Sequence, residues 1–154
     1  MAQTAFNLDG YLNRIGYAGT REASLPALRG VITAHSASIP FENIDPFLGR
    51  APKLYIASLQ VKMVASRRGG YCFEHNALLR AGLIALGFEV TSLVARVVLG
   101  GSADAFTPAT HMILRVDLPE GHSWRMWGLG TRLRPYRCVC NRVWSSRRRM
   151  RSCG

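Results

Sequence analysis

No stretch of this sequence approaches the roughly 18 consecutive apolar residues that a membrane-spanning helix needs, and residues 1–9 lack the basic-then-apolar pattern of a secretory signal. Both absences point to a cytoplasmic protein without a membrane partner. Cysteine is scarce, with Cys72, Cys138, Cys140 and Cys153 the whole supply. In a reducing compartment these read as thiols rather than a disulfide framework, and their spacing fits no zinc motif, Cys138-x-Cys140 being tighter than the usual ligand loop. No metal is expected. Internal repeats are absent too. Acid is missing from the last 33 residues: residues 122–154 hold nine Arg and no Asp or Glu, whereas residues 1–121 hold eleven Lys and Arg against all nine acids. Most of the +11 net charge therefore lies in a tail that also holds all three Trp and three of the four Cys, but no Lys, Ile or Phe. A surplus this large ordinarily suggests nucleic acid or an acidic surface. Here it is confined to one segment, and two compositions meet near Gly121.

What is present suits one compact unit: 154 residues, 48% of them hydrophobic. Leu8, Tyr11, Leu12 and Ile15 fall at i, i+3, i+4 and i+7, an amphipathic stripe, and Gly16 supplies a stop. Ser24 reads as the N-cap of a second helix, with Pro26 tolerated in the first turn and Leu25, Leu28, Val31, Ile32 and His35 along one face. His35 reads as a helix-end residue. Residues 36–52, with three prolines, predict a long ordered loop, followed by a short helix over 58–66. After Gly69-Gly70, residues 72–86 form a largely apolar run ending at Gly87, which reads as a buried helix with Cys72 at its N-terminus. Val-rich residues 90–99 and alternating residues 111–118 predict strands. Helices first and strands afterwards indicate an α+β fold rather than alternating βαβ units.

A thiol at a helix N-terminus faces unpaired backbone N–H groups and the positive end of the dipole, both of which favour the thiolate. The two glycines before Cys72 permit a close chain approach, and nearby amides are placed to hold an oxyanion. Such a nucleophile needs a base. His111 opens a predicted strand after the 100–110 loop and is the candidate on placement. His75, three residues beyond Cys72 on the same helix, competes with it but reads as facing solvent, and His122 falls in the tail. The bland alternative for Cys72 is a small core residue.

The string Arg67-Arg68-Gly69-Gly70-Tyr71-Cys72-Phe73-Glu74-His75-Asn76, followed by Leu86-Gly87-Phe88 and Ala95-Arg96-Val97, closely resembles the arylamine N-acetyltransferases. Pro40-Phe41-Glu42-Asn43 and Thr110-His111-Met112 also resemble that family's motifs in the right order, so the likeness covers residues 1 to about 120. The resemblance implies a helical unit over residues 1–88 that bears the nucleophile, and the first strands of an incomplete β-barrel over 89–121. It implies a papain-like Cys-His-Asp site in which acetyl-CoA is the donor, no cofactor stays bound, and aromatic amines, hydrazines or hydroxylamines are the acceptors. On that likeness Cys72 carries the acetyl thioester and His111 moves the protons, while Glu42 and Arg68 are placed to pair and brace the Cys72 loop. The competing functions are an inactive remnant, a papain- or transglutaminase-like cysteine hydrolase and, most weakly, nucleic-acid binding through the tail.

The resemblance also calls for an aspartate about fifteen residues beyond the histidine, in an Asp-Val-Gly-Phe-Gly motif. Here that place reads Met126-Trp127-Gly128-Leu129-Gly130. Met and Trp each have one codon, so Met126-Trp127 reads ATG-TGG, and shifting one base earlier gives NAT, GTG, GGG: Asp if Arg125 ends in G, then Val and Gly. A single-base frameshift near Gly121 is the expectation, and it explains an Arg-, Trp- and Cys-rich tail devoid of acid. Residues 122–154 are accordingly expected to be unstructured, and the chain to be a truncated, impaired member of the family.

Overall fold

The computed structural model describes residues 6–96, 108, 110–118, 123–127 and 139–140. Helix α1, Leu8–Ile15, forms where the stripe requires. Its first turn is capped by the Asn7 side chain, which accepts from the Gly10 amide at 2.9 Å, and it ends at Gly16 with φ 67°. Tyr11, Leu12 and Ile15 are buried. Helix α2, Leu25–Ser38, starts on Ser24, whose Oγ accepts from the Ala27 amide, with Pro26 in the first turn.

The expected 36–52 loop is interrupted. Helix α2 continues through Ser38, and α3, Ile44–Phe47, adds a helical turn that includes Pro46. A proline in a first helical turn forfeits no hydrogen bond, because that N–H has no partner there, so proline count overstated the loop. The short helix expected over 58–66 is α4, Ile56–Leu59, passing directly into a π-helix, Gln60–Ala65. Helix α5 spans Cys72–Ala85, and Gly87, at φ 87°, turns the chain toward the sheet.

Strand β1, Glu89–Arg96, pairs antiparallel with β2, His111–Asp117, with Ala95 opposite His111 and Glu89 opposite Asp117. The last residues of the first predicted strand, 97–99, lie outside the described residues. The expectation of an unstructured tail is corrected for two pieces: β3, Ser123–Trp127, adds to β2, and β4, Val139–Cys140, adds to β1. The sheet order is β3-β2-β1-β4. Ser123–Trp127 includes two tryptophans, residues that fit a pleated surface, and the free side of β2 offers a ladder to complete. The other residues of 122–154 lie outside the described set.

One apolar cluster joins the helices to the sheet, with Tyr11, Leu28, Leu59, Met63, Leu78 and Leu83 packed with Leu114 and Val116 of β2. Burial of each such side chain contributes about 1.5–3 kcal/mol relative to exposure. Gly82 lets α5 approach α1 closely, since a Cβ there would press on the Tyr11 ring. Packing α5 against β2 in this way brings its first turn to the beginning of that strand.

Candidate active site

The chain between the π-helix and α5 is pinned from several directions. Phe41 and Gly70 form a parallel bridge: the Gly70 amide donates to the Pro40 carbonyl at 3.3 Å, and the Glu42 amide donates to the Gly70 carbonyl at 2.9 Å. Gly69 is required by close approach, because a Cβ there would run into the Pro40 oxygen. Arg67 has φ 52°, a left-handed conformation uncommon outside glycine. Its carbonyl is held by Arg14, whose guanidinium donates to Met63 O at 2.9 Å, Ser38 O at 2.7 Å and Arg67 O at 3.2 Å. Burial, with Arg67 nearby, lowers the pKa of the Arg14 guanidinium. Carbonyl partners supply its hydrogen bonds without an opposing charge.

The expected Glu42–Arg68 brace is present and belongs to a larger network. Arg68 Nη2 donates to Glu42 at 2.7 Å and to Asp45 at 3.1 Å. Lys62 donates to Asp45 at 2.6 Å and to Glu74 at 2.8 Å. Glu74, 1% exposed, also accepts from the Tyr71 amide at 3.1 Å, satisfying an N–H at the start of α5. Hydrogen bonds from Lys62 and Arg68 outweigh burial and hold the Asp45 carboxyl below its ordinary value. Burial works against the Lys62 ammonium, but its bonds to Asp45 and Glu74 raise it on balance. The network joins α3, the π-helix, the Gly69-Gly70 loop and α5.

Cys72 stands at the first position of α5, half-buried and with a free thiol. The backbone N–H of Met112, Phe73 and Cys72 itself all act on its sulfur. Met112 immediately follows His111, and its carbonyl accepts from Nδ2 of the buried Asn76 side chain at 2.7 Å, so α5 grips the opening of β2 one turn above Cys72. The structure thus brings the helix that Cys72 opens against the strand that His111 opens. Burial pushes the Cys72 thiol above its ordinary value despite the three amides, and burial lowers the His111 imidazole. The amides at the helix start favour the thiolate and desolvation of the charged form opposes it.

The direction of the thiol shift sets an expected pH dependence. A raised thiol pKa means that the thiolate fraction climbs only as pH passes above the ordinary thiol value, about 8.5. Alkylation of Cys72 by iodoacetamide, followed by mass, is expected to accelerate through a midpoint above that value. A rate already flat between pH 6 and 8 contradicts it.

Of two other histidines, His35 stands at the end of its helix as its sequence reading expects, and His75 departs from its own. His75 does not face solvent. It is buried, with Nδ1 2.9 Å from His35 Nε2 and Nε2 3.1 Å from the Pro40 carbonyl. His35 is buried in the last turn of α2 and reaches the Tyr11 hydroxyl at 2.9 Å through Nδ1. Helix α5 buries Glu74, His75, Asn76, Leu78, Leu79, Gly82 and Leu83, leaving little polar face for periodicity to locate. Reasoning from sequence also missed Arg14, Lys62 and Asp45, whose partners lie far along the chain. Among the described residues no three His, Cys, Asp or Glu side chains group as a metal site would require, and no helix is long and apolar enough to cross a membrane.

Comparison with known proteins bears on this geometry. The family model described as N-acetyltransferase matches residues 24–137, running past the change of composition near Gly121. The chain is 49% identical over 117 residues to the arylamine N-acetyltransferase of Mycolicibacterium smegmatis, a match covering 75% of this chain and 42% of that one. The chain therefore spans well under half the length of this relative. Among solved structures, the arylamine N-acetyltransferase of Nocardia farcinica superposes with a TM-score of 0.73 at 46% identity, covering 77% of this chain and 42% of that one. That of Mycobacterium marinum in complex with CoA gives 0.71 at 42% identity, covering 77% and 45%. With helices α2 to α5, strands β1 to β3 and the cysteine-bearing turn all falling within residues 24–137, this chain belongs to the arylamine N-acetyltransferase family.

Proposed function

We propose that this chain takes an acetyl group from acetyl-CoA onto Cys72 and passes it to an aromatic amine, hydrazine or hydroxylamine, with His111 as the proton carrier. The observation that carries the reading is the position of Cys72: first residue of α5, behind the Gly69-Gly70 turn, with the amide of Met112, the residue after His111, acting on its sulfur. The family membership supports acetyl transfer, and the CoA complex of the Mycobacterium marinum relative supports the donor.

In the first half-reaction the Cys72 sulfur attacks the acetyl carbonyl as His111 takes the thiol proton. The carbon–sulfur bond to the coenzyme breaks, and its thiol departs with the proton from His111. In the second, the amine nitrogen attacks the acetyl-Cys72 carbonyl and gives its proton by way of His111 to the departing Cys72 sulfur. The lowered imidazole value suits this role, since a neutral ring accepts a proton at pH 7. Backbone amides around Cys72 are the candidate donors for the oxyanion.

The same reading assigns the helical unit to residues 1–88 and the first part of a barrel to 89–121, with a papain-like site between them. It also makes the reaction slow. Met126 stands where the family resemblance places an aspartate, and spoiling the acid of a Ser-His-Asp triad costs about 10⁴ in rate. Returning the frame from codon 121 should restore turnover if the tail is out of frame.

The acceptor tests the proposal against a hydrolase. Pre-acetylated Cys72, offered increasing aniline, is expected to yield acetanilide in proportion. Release of acetate alone, at a rate independent of aniline, assigns the chain to hydrolysis.

A further inference from the structure

Four groups from separate parts of the chain form a continuous line that runs from the core to a part-buried end: Tyr11 Oη to His35 Nδ1 at 2.9 Å, His35 Nε2 to His75 Nδ1 at 2.9 Å, and His75 Nε2 to Pro40 O at 3.1 Å. The carbonyl at its end can only accept. His75 must therefore carry its proton on Nε2. If the ring is neutral, Nδ1 must accept, which puts the His35 proton on Nε2 and leaves His35 Nδ1 to accept from the Tyr11 hydroxyl. One terminal acceptor thus fixes both tautomers and the direction of all three hydrogen bonds. Burial favours the neutral form at every position, lowering His35 to about 3 and His75 below its ordinary value, and raising Tyr11.

The line ends at the most crowded point of the nucleophile loop. The Pro40 oxygen that accepts from His75 also accepts from the Gly70 amide, and it is the atom that excludes a side chain at Gly69. Cys72 lies between Gly70 and His75 in the chain. Both ends of that segment are bound to one oxygen, so the backbone and the imidazole close a small ring with Cys72 inside it. The Phe41 ring stacks on His75 with centroids 6.2 Å apart, adding a second contact to the same residue.

We propose that His75 is a positioning residue for Cys72: its Nε2–H ties the first turn of α5 to the Pro40 oxygen, and Tyr11 and His35 hold it in the tautomer that makes that bond. The inference rests on Cys72 being the acylated group, yet its test does not need the acetyl reaction.

Iodoacetamide alkylation of Cys72 across pH is compared in wild type, His75→Gln and His75→Leu, with Leu12→Ala as a core control of similar thermal loss. Glutamine offers an N–H donor and a carbonyl acceptor in place of the two ring nitrogens. Leucine offers neither. His75→Leu is expected to change the alkylation rate at least tenfold and to displace its pH midpoint, while His75→Gln and Leu12→Ala keep the wild-type profile. Equal profiles for His75→Leu and Leu12→Ala overturn the proposal. Side-chain ¹⁵N spectra of the wild-type protein at pH 7 supply a readout that does not depend on any variant folding. Both His35 and His75 are expected as Nε2–H tautomers, and an Nδ1–H tautomer at either position overturns the direction of the line. Loss of the acetyl reaction with these results intact would count against the proposed function and leave the positioning role standing.

Discussion

Lys62→Met is expected to cost about 3 kcal/mol of stability, the lower end of what removing one partner of a buried ion pair costs. The lower end applies because the Lys62 side chain keeps 15% of its exposure, whereas Glu74 keeps 2%. Methionine approximates the volume and removes the only cation within ion-pair distance of Glu74 among the described residues. It leaves Glu42 and Asp45 to Arg68 alone, and Glu74 with no cation within ion-pair distance among the described residues. For a chain of this size the thermal midpoint should fall by roughly 6–12 °C. The pair Lys62→Met with Glu74→Gln should recover a substantial part, because the amide oxygen still accepts from the Tyr71 N–H and no charge stays buried there. A shift below about 2 °C for the single variant would show that the network is solvated rather than structural. Since it joins α3, the π-helix and α5, the same variant should loosen the turn that carries Cys72.

The other large effect is on chemistry. His111→Ala should slow acetylation of Cys72 by about 10²-fold, the low end of what a general base contributes. With Met126 in the place of the expected acid, the imidazole has less to lose than in a complete triad. The thiol that remains is raised by burial, so the variant should recover rate as the pH is increased and the thiolate forms without a base. Added imidazole should recover part of it at neutral pH. A change under threefold, or a variant slow at every pH, would remove His111 from the role of base.

Much of the scaffold was legible because the signals are local. Helix α1 begins and ends where its stripe and Gly16 place it, Ser24 caps α2, and α5 begins at Cys72. The Glu42–Arg68 contact followed from motifs in the family resemblance, and it is present. What escaped is long-range. The partners of His35 and His75 are 24 to 40 positions away along the chain, and Arg14 binds carbonyls 24 to 53 positions away. A polar residue inside a core is recognised by what satisfies it, and nothing local announces that partner. The environment of the thiol is long-range in the same way. Helix position is visible in a sequence, whereas the burial that opposes it depends on β2 closing over the turn. In the tail, composition argued against order, yet Ser123–Trp127 pairs along β2 with Met126 opposite Leu114. Apolar and aromatic residues beside an available strand edge suffice for pairing whatever their origin.

The intact mass of the purified chain, before and after incubation with acetyl-CoA and with Cys72→Ala alongside, tests the central claim most directly. One added acetyl group on the wild-type chain and none on Cys72→Ala is the expected result. A mass unchanged by acetyl-CoA in a folded chain, or an equal gain on Cys72→Ala, would contradict the claim that Cys72 receives the acetyl group.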